Sequence, residues 1–259
     1  MTDLEQLPAA FRRNSVGLEV VPRMLFASRF FHYKPGQHVL FGGPSQHGKT
    51  SCAFDLLEHV ATVQLPAYFA VSKPEDEVTR RRGTELGYRF VSDWPATRKI
   101  GELMGGEKPS GYVIWSKFGD FDNDVARCAD VTARLIRDRY TAGTKKQKGI
   151  MVMDDTMLKA KVLGLDGDMV TILAMAGAMG LGLWTFVQKV TDSGRTPLWA
   201  YSQSEHFFFL HDGVVSAQKT YAEKADMDWR DFAAATGSLE EYQFLYRSRS
   251  GYLCVVDAK

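Results

Sequence analysis

Residues 42–51 read GGPSQHGKTS, directly after the apolar run VLF and directly before SCAFDLLEHVATV. Gly43 to Thr50 fits the pattern GxxxxGK[ST], and a strand on one side with a helix on the other is the setting in which that pattern cradles phosphate. Gly43 and Gly48 allow a tight turn with its N–H groups facing inward, Lys49 reaches the outer phosphates, and Thr50 offers a hydroxyl to Mg²⁺. Ser51 is placed to assist at the first phosphate. The whole run Gly43, Pro44, Ser45, Gln46, His47, Gly48, Lys49, Thr50 and Ser51 is therefore assigned to nucleotide binding, with His47 at a variable position and no catalytic part. The alternative is a surface glycine turn with a solvated lysine.

A strand–loop–helix start predicts an α/β fold, and the rest of the chain supports it. HVLFGG and LPAYFAVS (65–72) read as buried strands, and YVIWSKF (112–118) as a third strand or half of a hairpin. From Asp122 to Tyr140 the apolar residues Val125, Ala129, Leu135, Ile136 and Tyr140 share one helical face, with Asp122 as the cap. TAGTKKQKG then connects to IMVMDD, a short strand ending in two carboxylates. DGDMVTILAMAGAMG reads as a buried helix, LGLWTFVQ as a buried strand, and EHFFFLHD and YLCVVD as two more. Alternating strands and helices predict a mostly parallel sheet flanked by helices. Residues 1–30 show no period and read as an arm or lead-in; residues 31–259 read as one P-loop ATPase domain.

With 259 residues, 45% of them hydrophobic and 24% charged, the chain is long enough for a substantial core. Its net charge of +1 gives no global attraction to a polyanion, so any such partner must meet a local patch. Cys52, Cys128 and Cys254 are odd in number and lack CxxC spacing, which points away from a disulfide framework or a zinc site. No run approaches the roughly 18 apolar residues a membrane span needs, and the first residues lack the apolar core of a secretory leader.

A phosphate loop needs a metal-holding carboxylate, and Asp154 at the end of IMVMD is placed for that. Asp155 beside it is a candidate general base for an attacking water; its alternative is a helix cap or surface acid. Gln188 ends the apolar strand LGLWTFV, where a polar amide faces the ligand crevice of an α/β sheet and either orients the water or senses the γ-phosphate; its alternative is the start of a surface loop. Arg195, Arg230, Arg247 and Arg249 are candidates for an arginine finger reaching a neighbouring subunit, and each is otherwise a solvated charge. Arg80–Arg82 and the stretch KKQK (145–148) are candidate phosphate-backbone contacts or plain surface.

The order GPSQHGKTS, MVMDD, LWTFVQK, EHFFFLHDG, ADMDWRDF and YLCVVD resembles the genome-packaging ATPases of double-stranded DNA viruses in the FtsK/HerA superfamily, of the poxvirus, virophage and Polinton types. The resemblance runs over about residues 37–257 and implies an additional-strand P-loop fold, with the Gln188 strand between the strands of the phosphate loop and Asp154. It implies an ATP- and Mg²⁺-dependent double-stranded DNA translocase, a ring of five or six subunits, and a capsid or vertex protein as partner. It also implies a place in the host cytoplasm or nucleus where virions assemble. Lys49 and Thr50 carry over as nucleotide and metal contacts, Asp154 as the metal acid, Asp155 as the catalytic acid and Gln188 as the sensor. Two departures stand out: AMAGAMGLGLWTF lacks the arginine expected before the sensor strand, and LWAYSQSEHFFF lacks another, which leaves Arg195 as the finger candidate by position. Two other readings stay open on the residues alone, a P-loop phosphotransferase acting on a nucleotide and an assembly switch that binds ATP without turnover.

Overall fold

Val39, Leu40 and Phe41 are all fully buried, because the strand that carries them lies inside a sheet covered on both faces. Val39 and Phe41 pack into one core and Leu40 into another, the alternation that the pleat imposes. The computed structural model describes residues 12–97, 108–117, 119–188, 200 and 202–258.

The strands are β1 (Val20–Pro22), β2 (His38–Gly42), β3 (Ala67–Val71), β4 (Arg89–Val91), β5 (Gly111–Trp115), β6 (Gly149–Met153), β7 (Leu181–Val187), β8 (Ser204–Phe209), β9 (Phe244–Ser248) and β10 (Leu253–Asp257). They form one sheet in the order β1-β10-β9-β8-β2-β7-β6-β3-β5-β4. From β8 to β4 every neighbouring pair is parallel, while β9 runs antiparallel to both β8 and β10. The expected mostly parallel α/β sheet is therefore present, and β7 lies between β2 and β6.

The helices are α1 (Arg23–Arg29), α2 (Lys49–Val60), α3 (Glu77–Glu85), α4 (Phe121–Thr144), α5 (Asp166–Met175), α6 (Val215–Lys224) and α7 (Trp229–Gly237). Phe26 of α1 and Cys52, Phe54 and Leu56 of α2 bury against one face; α4 and α5, and farther along α6 and α7, cover the other. YVIWSKF forms the parallel strand β5 and no hairpin. The helix expected from Asp122 starts one residue earlier, with Asp120 at the N-cap position, and runs on to Thr144. The entry turn is closed by Asp124, whose carboxylate accepts from the amides of Gly119 and Asp120. DGDMVTILAMAGAMG is α-helical only to Met175, with a 3-10 turn over Gly177–Met179, and it is buried on one side alone: Met169, Ile172 and Leu173 are buried while the apolar Val170 and Met175 are exposed.

Residues 20–29, which the sequence assigns to the lead-in, enter the sheet and core. β1 pairs in parallel with β10, and Val21 and Phe26 are fully buried. The signal is weak locally because a three-residue strand and a seven-residue helix are too short to show a period.

Candidate nucleotide site

β2 delivers the phosphate loop to the C-terminal edge of the sheet, where its start is tied to the strands on either side. The amide of Gly43 donates to the Val187 carbonyl of β7 at 3.0 Å, and Leu210, following β8, donates to the Gly42 carbonyl at 2.9 Å. Gly43 has φ of 136°, and a Cβ there would lie 2.5 Å from the Leu210 Cβ, so both the backbone shape and the packing require glycine. Gly48, at φ 83°, turns the chain into α2, whose first residue is Lys49. The loop is thus followed by a helix N-terminus, with free N–H groups and the positive end of the helix dipole directed at the ligand position.

Lys49 is buried, and its ammonium donates to the carbonyls of Gly43 at 2.7 Å and Pro44 at 2.5 Å. Burial lowers its pKa to about 8; the nearby charge of Lys73 lowers it further and that of Asp155 raises it. A cation held at such cost is one that an anionic ligand would relieve. Thr50 and Ser51 are half-buried, and His47 is exposed, its Nδ1 donating to the Ser45 carbonyl at 2.6 Å.

Asp154 and Asp155 follow β6, two strands from the loop, and their surroundings differ. Asp154 is buried, and its carboxylate accepts from the Ser72 amide at 3.1 Å, from the Ser72 hydroxyl at 2.8 Å and from the Lys159 ammonium. Lys159, itself fully buried in a π-helical turn (Leu158–Val162), also donates to the Asp154 carbonyl at 2.7 Å and to the Ser72 hydroxyl. Asp155 is only half-buried and sits in the left-handed region at φ 40°. One of its oxygens accepts from the Leu158 amide at 3.2 Å and the other from the Gln188 side-chain amide at 3.1 Å. Thr156 secures the turn: its hydroxyl donates to the Met153 carbonyl and accepts from the Phe186 amide of β7.

These groups share one cleft of about 860 Å³, lined by Lys49, Thr50, Asp154, Asp155 and Gln188 together with Lys73 and Arg81. The loop and the twin acids therefore face a common space. Lys73 and Arg81 went unnoticed as cleft residues in the sequence. Lys73 follows the strand β3, and a polar residue at that edge was the available sign. The three arginines of α3 part company, as consecutive helical positions must: Arg80 lies over the Trp115 ring, Arg81 turns to the cleft, and Arg82 pairs with Asp55, Glu58 and Glu85. The lysines at 145–148 are exposed.

Of the finger candidates, Arg195 lies outside the described residues. Arg230 lies over the Trp229 ring, Arg247 donates to the Gly251 carbonyl and Arg249 to the Ser202 carbonyl. Among the described residues no group of three His, Cys, Asp or Glu side chains is set to hold a metal unaided. Thr50 and Asp154 on the cleft are a donor set that fits Mg²⁺ in a nucleotide site, where one or two protein groups share the ion with phosphate oxygens. No described helix is long and apolar enough to cross a membrane.

No protein-family model matches the chain, and no curated protein matches its sequence. Solved structures do match in fold. The genome-packaging NTPase B204 from Sulfolobus turreted icosahedral virus 2, in complex with sulfate, aligns at TM-score 0.55 and 14% identity, over 88% of this chain and 98% of its own. The cytoplasmic domain of the Thermomonospora curvata type VII secretion ATPase EccC aligns at TM-score 0.53 and 14% identity, over 96% of this chain and 28% of its own. The pCW3 conjugation coupling protein TcpA, with ATPγS, aligns at TM-score 0.50 and 14% identity, over 85% of this chain and 59% of its own. At these identities the likeness is one of architecture: the chain shares the P-loop α/β fold of these NTPases, with β7 between the phosphate-loop strand and the strand that carries the twin acids.

Proposed function

We propose that this chain is an ATPase that drives double-stranded DNA into a preformed viral capsid. The observation that carries the reading is the Gln188–Asp155 hydrogen bond, made at the edge of the cleft that also holds the phosphate loop. The near-complete alignment with the packaging NTPase B204 supports it.

In this reading the loop Gly43–Ser51 takes the triphosphate and Lys49 leaves its two loop carbonyls for the outer phosphates. Thr50 and Asp154 hold Mg²⁺, Asp154 through the lone pairs that Ser72 and Lys159 leave to it. When bound, the cation supplies charge neutralisation on the phosphate oxygens. Asp155 takes the proton of an attacking water, and Gln188, already bonded to Asp155, orients that water and reports the γ-phosphate. Lys73 and Arg81 add positive charge along the cleft where negative charge develops. The ATPase domain, residues 31–259 together with residues 20–29 that enter its sheet and core, acts in a ring of five or six subunits that contacts a capsid or vertex protein at the host's sites of virion assembly. Arg195 is assigned to reach the neighbouring subunit's site.

Hydrolysis assayed with and without double-stranded DNA tests this. DNA-stimulated turnover is expected, and Lys49→Ala abolishes it by removing nucleotide affinity. Phosphate transfer to a nucleoside monophosphate would replace the motor with a phosphotransferase, and nucleotide binding without turnover would replace it with a switch.

A further inference from the structure

Tyr242 stands in the turn before β9 and lines the nucleotide cleft, with 45% of its surface exposed. Its backbone is in the left-handed region at φ 64°, which a residue with a bulky side chain enters only when its surroundings hold it there. The holder is Arg23 of α1. One guanidinium nitrogen donates to the Tyr242 carbonyl at 2.6 Å and the other pairs with Asp55 of α2 at 3.1 Å. Arg23 is only 5% exposed and its guanidinium lies over the Phe244 ring, so a single buried cation ties the turn to the helix that begins at the phosphate loop. The result is a close approach: a Cβ on Gly48 would lie 3.0 Å from Cδ1 of the Tyr242 ring.

The position of this ring has a meaning if the cleft holds a nucleoside triphosphate, and the inference rests on that reading. The twin acids lie on the β6 and β7 side of the loop, whereas β9 and its preceding turn lie on the β8 side. A triphosphate whose reacting end faces Asp155 must send its nucleoside the other way. We propose that Tyr242 is the base-stacking residue of this site, giving a nucleoside triphosphate its advantage over bare triphosphate. A turn held in advance by Arg23 has little backbone freedom left to lose on stacking, and stacking on an aromatic side chain strengthens binding by about tenfold or more per base.

Calorimetric titration of the full chain with ATP and with inorganic tripolyphosphate tests this on Tyr242→Asn, which keeps a residue tolerant of the left-handed backbone, and on Tyr242→Phe, which keeps the ring. The expected result is that Tyr242→Asn weakens ATP about tenfold or more, leaves tripolyphosphate unchanged, and that Tyr242→Phe binds as the parent does. Unchanged ATP affinity in Tyr242→Asn, with its thermal melt intact, overturns the proposal. So does an equal loss for both ligands, which would make the tyrosine a prop for the loop. A parent chain that prefers ATP over tripolyphosphate while Tyr242→Asn retains that preference leaves the nucleotide reading standing and removes only this one; a parent that binds neither ligand removes both.

Discussion

The two ends of the sheet both gather polar side chains, and they use them differently. At the N-terminal ends of β2 and β8, His38 accepts from the Leu183 amide at 2.9 Å and donates to the Leu173 carbonyl at 3.2 Å. His206 there accepts from the Tyr246 hydroxyl at 2.7 Å and donates to the Gln37 side chain at 3.1 Å, and Glu205 accepts from the His38 amide at 2.7 Å. Both rings have each nitrogen satisfied, and burial lowers both pKa values to about 4. At the C-terminal ends, Lys49, Lys73, Arg81 and Asp155 line an open cleft. Polar groups that consume one another's capacity hold a structure together; groups left with capacity toward a cleft are available to a ligand. Asp154 crosses the division, since it lines the cleft while Ser72 and Lys159 take up part of its carboxylate's capacity.

The strongest way to break this comparison is through Lys159. If the Lys159–Asp154 pair belongs with the structural kind, Lys159→Met leaves a buried carboxylate without its partner and costs about 3–5 kcal/mol in chemical denaturation, while adding Asp154→Asn recovers much of that loss. A stable Lys159→Met protein would move the pair to the functional kind. Next in size is Asp155→Asn, which suits the left-handed backbone at φ 40° and so tests the carboxylate alone. Hydrolysis is expected to fall on the order of 10², with nucleotide affinity unchanged by titration; undiminished turnover removes the base role.

The far end is probed by acid. His38 and His206 have folded pKa values depressed from 6.5 to about 4, so below 6.5 the unfolded chain binds the proton first. Stability is intact above that pH and falls as pH drops toward 4, by about 2 kcal/mol per histidine at pH 5. Denaturant midpoints measured from pH 7 to 5 check this, and His206→Gln is expected to halve the slope. The smallest effect is at Arg82, whose partly exposed network with Asp55, Glu58 and Glu85 contributes about 1 kcal/mol, read as the loss of stability in Arg82→Ala.

Much of the cleft could be read before any fold was seen, because its parts are local. The phosphate loop needs only a strand, a glycine turn and a helix in succession, and Asp155 and Gln188 each end an apolar run that is continuous in the chain. Lys159 could not be read that way. Within MLKAK it looks like any surface lysine, and its burial depends on Asp154 and on Ser72 from another strand. β1 was equally hidden, since it is stabilised by β10 at the other end of the chain. The Arg80–Arg82 triplet looked like one patch, but Arg80 lies over Trp115 and Arg81 lines the cleft while sharing Glu85 with Arg82, because helical geometry aims successive side chains about 100° apart.

By itself, the sequence determined the α/β class, the glycine turn between strand and helix at Gly43–Thr50, and which strand ends carry acids and amide; each follows from periodicity and spacing within a few turns of chain. Which of the twin acids is engaged by a buried lysine, which arginine turns toward the cleft, and which aromatic ring lies against the loop were decided only in three dimensions. Those outcomes depend on contacts such as Arg23 with Tyr242 and Ser72 with Asp154, between residues far apart along the chain. No local pattern encodes them, since it is the packing of one strand or helix against another that brings the partners within reach.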